Sequence, residues 1–104
     1  MEKRVEEMII RHITYHALPG KDVEGWLKSV ASELRGVHGM RQALFIRSES
    51  DPSLWGALMY FSTVDDLENY KKSAPYTRLV ESLRETWLDE SKPVSDHIYK
   101  IQDI

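Results

Sequence analysis

The chain has no cysteine, which excludes disulfides, thiolate metal sites and thiol nucleophiles together. It has no apolar run approaching the ~20 residues that a membrane-spanning helix needs. The opening MEKRVEEMII is charged from its second residue and lacks the apolar core of a secretory signal, so a cytoplasmic protein is expected. Net charge is only −3 with both signs interspersed, so no electrostatic footprint for nucleic acid or an anionic membrane is present. Gly-rich phosphate loops, nucleophile elbows and the His/Glu spacings of metalloenzymes are missing. No metal and no cofactor is expected, and neither repeats nor low-complexity segments occur.

What remains fits a single domain over residues 1–104. A domain of this size buries only about 60–70% of its unfolded surface, so it gains from a partner subunit. Residues 1–7 are polar and read as a loose arm. Met8 to Leu18 is rich in β-branched and aromatic residues and predicts a first strand. One face carries Ile9, Arg11, Ile13, Tyr15 and Ala17, the other Met8, Ile10, His12, Thr14, His16 and Leu18. Neither face is cleanly polar, as expected of a strand covered on both sides.

Pro19-Gly20 is a turn and Asp22 can cap the helix that follows. Val23, Trp26, Leu27, Val30 and Leu34 recur at helical spacing, and Gly36 with Gly39 ends the helix. A second strand is predicted over Met40 to Ser50 and a third over Leu54 to Ser62, joined through Asp51-Pro52-Ser53. Thr63 opens a capping box for a short helix that buries Leu67 and Tyr70. Ser73-Ala74-Pro75 starts a longer one, with Tyr76, Leu79, Val80, Leu83 and Trp87 on one stripe. Lys92-Pro93 ends it, and His97 to Ile104 predicts a fourth strand.

The order βαββ(αα)β is α+β: a ferredoxin-like βαββαβ arrangement with a four-stranded antiparallel sheet and the helices on one face. The other face also carries Ile10, Leu44 and Leu58. A bare apolar face of more than a few hundred Å² marks an interaction site. The economical cover is a second copy, so a homodimer packed through the helix-free sheet faces, a dimeric α+β barrel, is expected.

The stretch FSTVDDLENYKKSAPYTRLVESL, with the VHGM turn and the Ser-Asp-Pro hairpin, resembles the antibiotic biosynthesis monooxygenase-like proteins over roughly residues 8–101. That resemblance implies the fold above. For activity it implies either a cofactor-independent oxygenase of phenols, quinols or polyketide aromatics, or a heme-degrading enzyme. By similarity, the heme-ligating histidine of the latter branch would fall at Val80, its tryptophan at Phe61 and its asparagine near Ile13. None of the three matches, so heme degradation is not expected. The histidine that many relatives carry in the short helix corresponds to Tyr70, which keeps a hydroxyl but loses a near-neutral base.

A pocket is expected between sheet and helices, where Tyr15, Trp26, Phe61, Tyr70 and Tyr76 can converge on a small aromatic molecule. The same residues also read as packed core, the more so for Trp26 and Tyr76, which sit on stripes of otherwise aliphatic residues. Candidate catalytic groups are Tyr70, His12 and His16. The two histidines share one strand face about 13 Å apart, too far to chelate one metal, but either is a possible base on an acidic phenol. Arg11 and Arg47 can pair with an anionic group or serve ordinary ion pairs. Two functions therefore stand: an enzyme oxidising an electron-rich aromatic, or a non-catalytic binding module of the same fold.

Overall fold

The computed structural model describes residues 8–102 and 104; the expected arm 1–7 lies outside the described residues. The strands are β1 (Ile9–His16), β2 (Met40–Arg47), β3 (Leu54–Phe61) and β4 (Ser95–Lys100), and the helices α1 (Val23–Arg35), α2 (Val64–Lys71) and α3 (Ala74–Ser82). All strand pairs are antiparallel, in the order β2-β3-β1-β4. This is the ferredoxin-like arrangement expected from the pattern, with β4 at an edge.

Local chemistry sets the helix starts. Asp22 accepts from the Gly25 amide, Thr63 from that of Asp66 and Ser73 from that of Tyr76, each satisfying one otherwise orphaned N–H. Gly39 carries the turn from α1 into β2 at φ +88°, and a Cβ there would stand 2.3 Å from Asp66. Only glycine meets both demands.

Register assigns the two faces, since directly opposed residues share one. Ile9, Arg11, Ile13 and Tyr15 of β1 lie with Phe61, Met59, Ala57 and Trp55 of β3. Ala43 and Phe45 of β2 join them. This face packs against α1 through Val23, Leu27, Ala31 and Leu34, and against α2 through Leu67 and Tyr70. Phe61 and Tyr70 have no exposed surface at all, so the core centres where α2 crosses β3. The opposite face carries Ile10, His12, Thr14 and His16 beside Tyr60, Leu58, Gly56 and Leu54, then Leu44 and Ile46 of β2.

Several boundaries differ from the sequence pattern. Strand β1 stops at His16, and Ala17 continues only as an isolated bridge to Leu88. Strand β2 ends at Arg47, because Ser48 already bonds the turn through Leu54 O (2.9 Å) and the Asp51 amide (3.1 Å). Strand β4 begins two residues before His97, drawn in by Thr14–Ser95 and Arg11–Asp96 contacts.

The expected single helix through Trp87 is broken as well. After α3, residues Leu83–Trp87 form a π-helical turn whose Leu88 amide reaches Leu83 O at 2.8 Å. The wider turn brings Trp87 onto Trp26, centroids 5.3 Å apart, and lets Trp87 O accept from Leu18 N. Such turns are often found at functional sites.

Candidate functional site

Between the sheet and the helices lies a small cavity of about 60 Å³. Its floor is Arg11, Ile13, Tyr15, Phe45, Ala57 and Met59 of the sheet. Its walls are Trp26 and Leu27 of α1, Tyr70 of α2, and Tyr76, Leu79, Val80 and Leu83 of α3 and the turn beyond. Four of the five expected binding aromatics therefore converge here. Phe61 does not line the space; it packs behind Tyr70, ring centroids 5.4 Å apart. Alternation along β3 puts it on the same face as Ala57 and Met59, but its ring is fully buried behind that of Tyr70.

The wall made by α3 is the loosely seated one. No residue of α3 or of the π turn is fully buried, although Tyr76, Leu79 and Val80 face the cavity. Elements with few buried contacts open at lower free energy than the core. Beneath them, Tyr70 and Tyr76 meet edge to face at 5.0 Å, a favourable aromatic geometry.

Among the described residues Arg11 is the one charged group lining this cavity. Its side chain is 4% exposed, and it forks onto Asp96 of β4, Nε to Oδ1 at 3.0 Å and Nη2 to Oδ2 at 2.7 Å. Both bonds run through Nε and Nη2, so Nη1 is not spent on Asp96. The guanidinium carbon also lies 5.5 Å from the centre of the Tyr76 ring, within cation–π range. Burial works against the Arg11 charge, but the hydrogen bond to Asp96 and the neighbouring Tyr76 outweigh it, so the group holds its proton more firmly than usual. The same hydrogen bond holds the Asp96 carboxyl below its usual range.

The Tyr70 hydroxyl is buried and meets no hydrogen-bond partner among the described residues. Burial pushes its pKa well above the ordinary phenol value, against a smaller opposing pull from Arg11. Tyr70 therefore stays a phenol at neutral pH and can donate a hydrogen bond, but it does not serve as a resting base. Tyr15 is likewise pushed up to about 12 by burial.

His12 and His16 stand on the opposite face of β1, so neither reaches the cavity. Side chains alternate with a period of two along a strand, so a strand-one histidine acting as a base would work on that other face and not in this cavity. His12 faces Leu58 on one side and His97 on the other. His16 lies 3.5 Å from Asp51, whose carboxyl is held low chiefly by hydrogen bonds from Ser53 and in lesser part by His16. Arg47 donates to Pro52 O at 2.7 Å and covers the Trp55 ring, so it too is away from this cavity.

Sequence reasoning left Arg11 between two roles and did not find the contributions of Leu79, Val80, Ala57 and Phe45 as walls. The signal for Arg11 was its place in the Ile9, Ile13, Tyr15 alternation, where a cation is out of pattern. Among the described residues no group of three His, Asp or Glu is arranged to hold a metal, and no helix is long and apolar enough to cross a membrane.

No family model matches this sequence. No curated protein sequence matches it either. Solved structures do share its fold. A conserved protein from Methanosarcina mazei Go1 superposes with a TM-score of 0.81 at 19% identity, covering 94% of this chain and 96% of that one. SnoaB, a cofactor-independent oxygenase from Streptomyces nogalater, gives 0.77 at 9% identity over 94% and 96%. A protein from Deinococcus radiodurans described as a candidate antibiotic biosynthesis monooxygenase gives 0.78 at 14% identity over 92% and 94%. The fold is that of the antibiotic biosynthesis monooxygenase-like proteins, as the resemblance in sequence implied.

Proposed function

We propose that this chain is a small-molecule oxygenase that works without a bound cofactor on an electron-rich aromatic held between the sheet and α3. The observation that carries this reading is the aromatic-walled cavity with one buried phenol, Tyr70, set in it and without a hydrogen-bond partner among the described residues. A convergent polar group in an otherwise apolar cavity is the usual form of a small-molecule site. The fold shared with SnoaB at low identity makes the chemistry plausible on this scaffold without assigning it.

The chemistry asks little of the protein. A deprotonated quinol or phenol gives one electron to O₂, and the resulting radical and superoxide combine to a peroxide anion. This takes up a proton, replacing the one the substrate lost, to become a hydroperoxide. Loss of water from a carbon bearing hydrogen then leaves a carbonyl, so one oxygen atom enters the product and the other leaves as water. The protein supplies a dry space, orientation and fixed hydrogen-bond donors.

Size sets a condition on this reading. A cavity of about 60 Å³ is below the ~150 Å³ that admits benzene in a protein core. The aromatic therefore enters only as α3 and the π turn move outward, which their shallow seating permits.

The same proposal includes a homodimer through the helix-free sheet face. Leu44 and Ile46 are 39% and 38% exposed there, and Tyr99 on the same face is 52% exposed. Sedimentation equilibrium at micromolar concentration is expected to give twice the chain mass, and Leu58→Asp half of it; a monomeric wild type removes this part of the reading.

The test of activity is oxygen uptake with a panel of hydroquinones and polyphenols against boiled protein. Catalytic uptake is expected, and Val80→Trp, which fills the cavity from α3, is expected to abolish it. Uptake indifferent to that substitution would move the chemistry elsewhere. Absence of uptake with ligand binding retained would favour a binding module on the same fold.

A further inference from the structure

Two donors in the cavity call for an acceptor. Tyr70 is fully buried with its hydroxyl unpartnered among the described residues. Arg11 lines the same space and commits only Nε and Nη2 to Asp96. Asp96 lies at the sheet edge with its side chain 41% exposed, so the ion pair runs from the cavity wall outward and leaves the guanidinium as the charged group beside the apolar space. An ion pair kept for stability alone is a poor use of a buried position, because apolar groups of similar volume do as well or better. A neutral ligand would satisfy the phenol but offer the cation little. A cationic ligand would meet the guanidinium rather than its carboxylate partner, which lies on the outer side.

We propose that the cavity takes its ligand as a monoanion, an aromatic bearing one ionised oxygen group such as an enolate, phenolate or carboxylate, and that Arg11 and Tyr70 together receive that oxygen. This rests on the reading of the cavity as a ligand site and names its substrate class. It also accounts for the lack of a base among the groups lining the space. A fixed guanidinium stabilises the ionised form of an acidic phenol or enol on its own, lowering the ligand's pKa rather than removing the proton through a side chain.

The experiment is calorimetric titration at pH 7.5 with two pairs of probes. 2-Hydroxy-1,4-naphthoquinone (an enolate at this pH) is compared with 2-methoxy-1,4-naphthoquinone, and 2-naphthoate with 2-naphthamide. Each anion is expected to bind about 10-fold or more tightly than its neutral partner, the scale of a hydrogen bond to a charged group. Preference for the first pair over the second identifies the oxygen as enolate-like; the reverse identifies a carboxylate.

Arg11→Met/Asp96→Asn removes both partners of the ion pair at once and so leaves no buried charge stranded. In this variant the anion preference is expected to fall below about 2-fold, with the anionic probes losing more affinity than the neutral ones. Tyr70→Phe is expected to weaken all four probes that bind through oxygen. Arg11→Lys, which keeps the charge and loses the fork, is the second variant if the double one does not fold, and should retain part of the preference. Equal affinity for anion and neutral partner in the wild type overturns the proposal while the ligand-site reading stands. A preference that survives the double substitution also overturns it. Binding of none of the four overturns both.

Discussion

Replacing Tyr70 by Phe removes one oxygen from the centre of the core and leaves the ring contacts with Phe61 and Tyr76 at 5.4 and 5.0 Å in place. In the free protein that oxygen has been taken out of water without a partner among the described residues, which costs about 1–3 kcal/mol. Tyr70→Phe should therefore stabilise the free protein by about 1 kcal/mol, the lower end of that range, because the shorter ring edge gives up some contact. At about 2.1 cal/mol/K of unfolding entropy per residue, a chain of this length gains about 4–5 °C in Tm. The assay is urea unfolding followed by tryptophan fluorescence, with calorimetry alongside and protein concentration held fixed in case the dimer contributes. The m value should not change. The difference should also grow in alkali. Burial holds the Tyr70 pKa above its unfolded value near ~10. As pH rises past that unfolded value, only the unfolded chain sheds the proton, so the wild type loses stability that the Phe variant keeps. Opposite signs on stability and on ligand affinity are the mark of a group kept for binding. A loss of about 1 kcal/mol or more in the free protein would show that the hydroxyl is well bonded in solution, and the argument that it awaits an acceptor would fail.

Gly56→Ala places a Cβ 2.8 Å from Ile13 O and 3.3 Å from Ile46 and Thr14 side-chain carbons; backbone cannot yield cheaply, so a loss of about 1–3 kcal/mol is expected in the same urea assay. Ser73→Ala removes the cap of a helix with no fully buried residue and should cost about 1 kcal/mol, raising hydrogen exchange in α3 before it affects the sheet. Asp96→Asn should destabilise by about 2 kcal/mol, less than for a fully buried pair because water reaches the carboxylate. Since the Asp96 pKa is lowered, its contribution is present above the unfolded value near ~3.9 and fades as pH falls through the folded one. The wild type and Asn variant should therefore converge in stability as pH falls through the folded value, below the unfolded one.

The parts of this protein that were legible in its sequence are those set by neighbours in the chain. Asp22, Thr63 and Ser73 cap helices through amides three residues on, and that geometry needs nothing distant. The strands were legible from β-branched and aromatic runs, and the order of elements then left few topologies. Boundaries that depend on a remote partner were not. The π turn at Leu83–Trp87 exists because Leu18, Ala17 and Trp26 receive it, and no periodicity encodes that. Faces were not legible either. Arg11 and His12 are adjacent, each on a strand face with apolar neighbours, and sequence alone does not say which one the helices cover. Packing decided it: Ile9, Ile13 and Tyr15 join the core under α1 and α2, carrying Arg11 inward and turning His12 and His16 out. The meeting of Arg11 with Tyr70 and Asp96 likewise joins three elements far apart in the chain. Local hydrogen bonding and alternation are written residue by residue. The site arises where long-range burial chooses between two faces that the sequence leaves nearly equal.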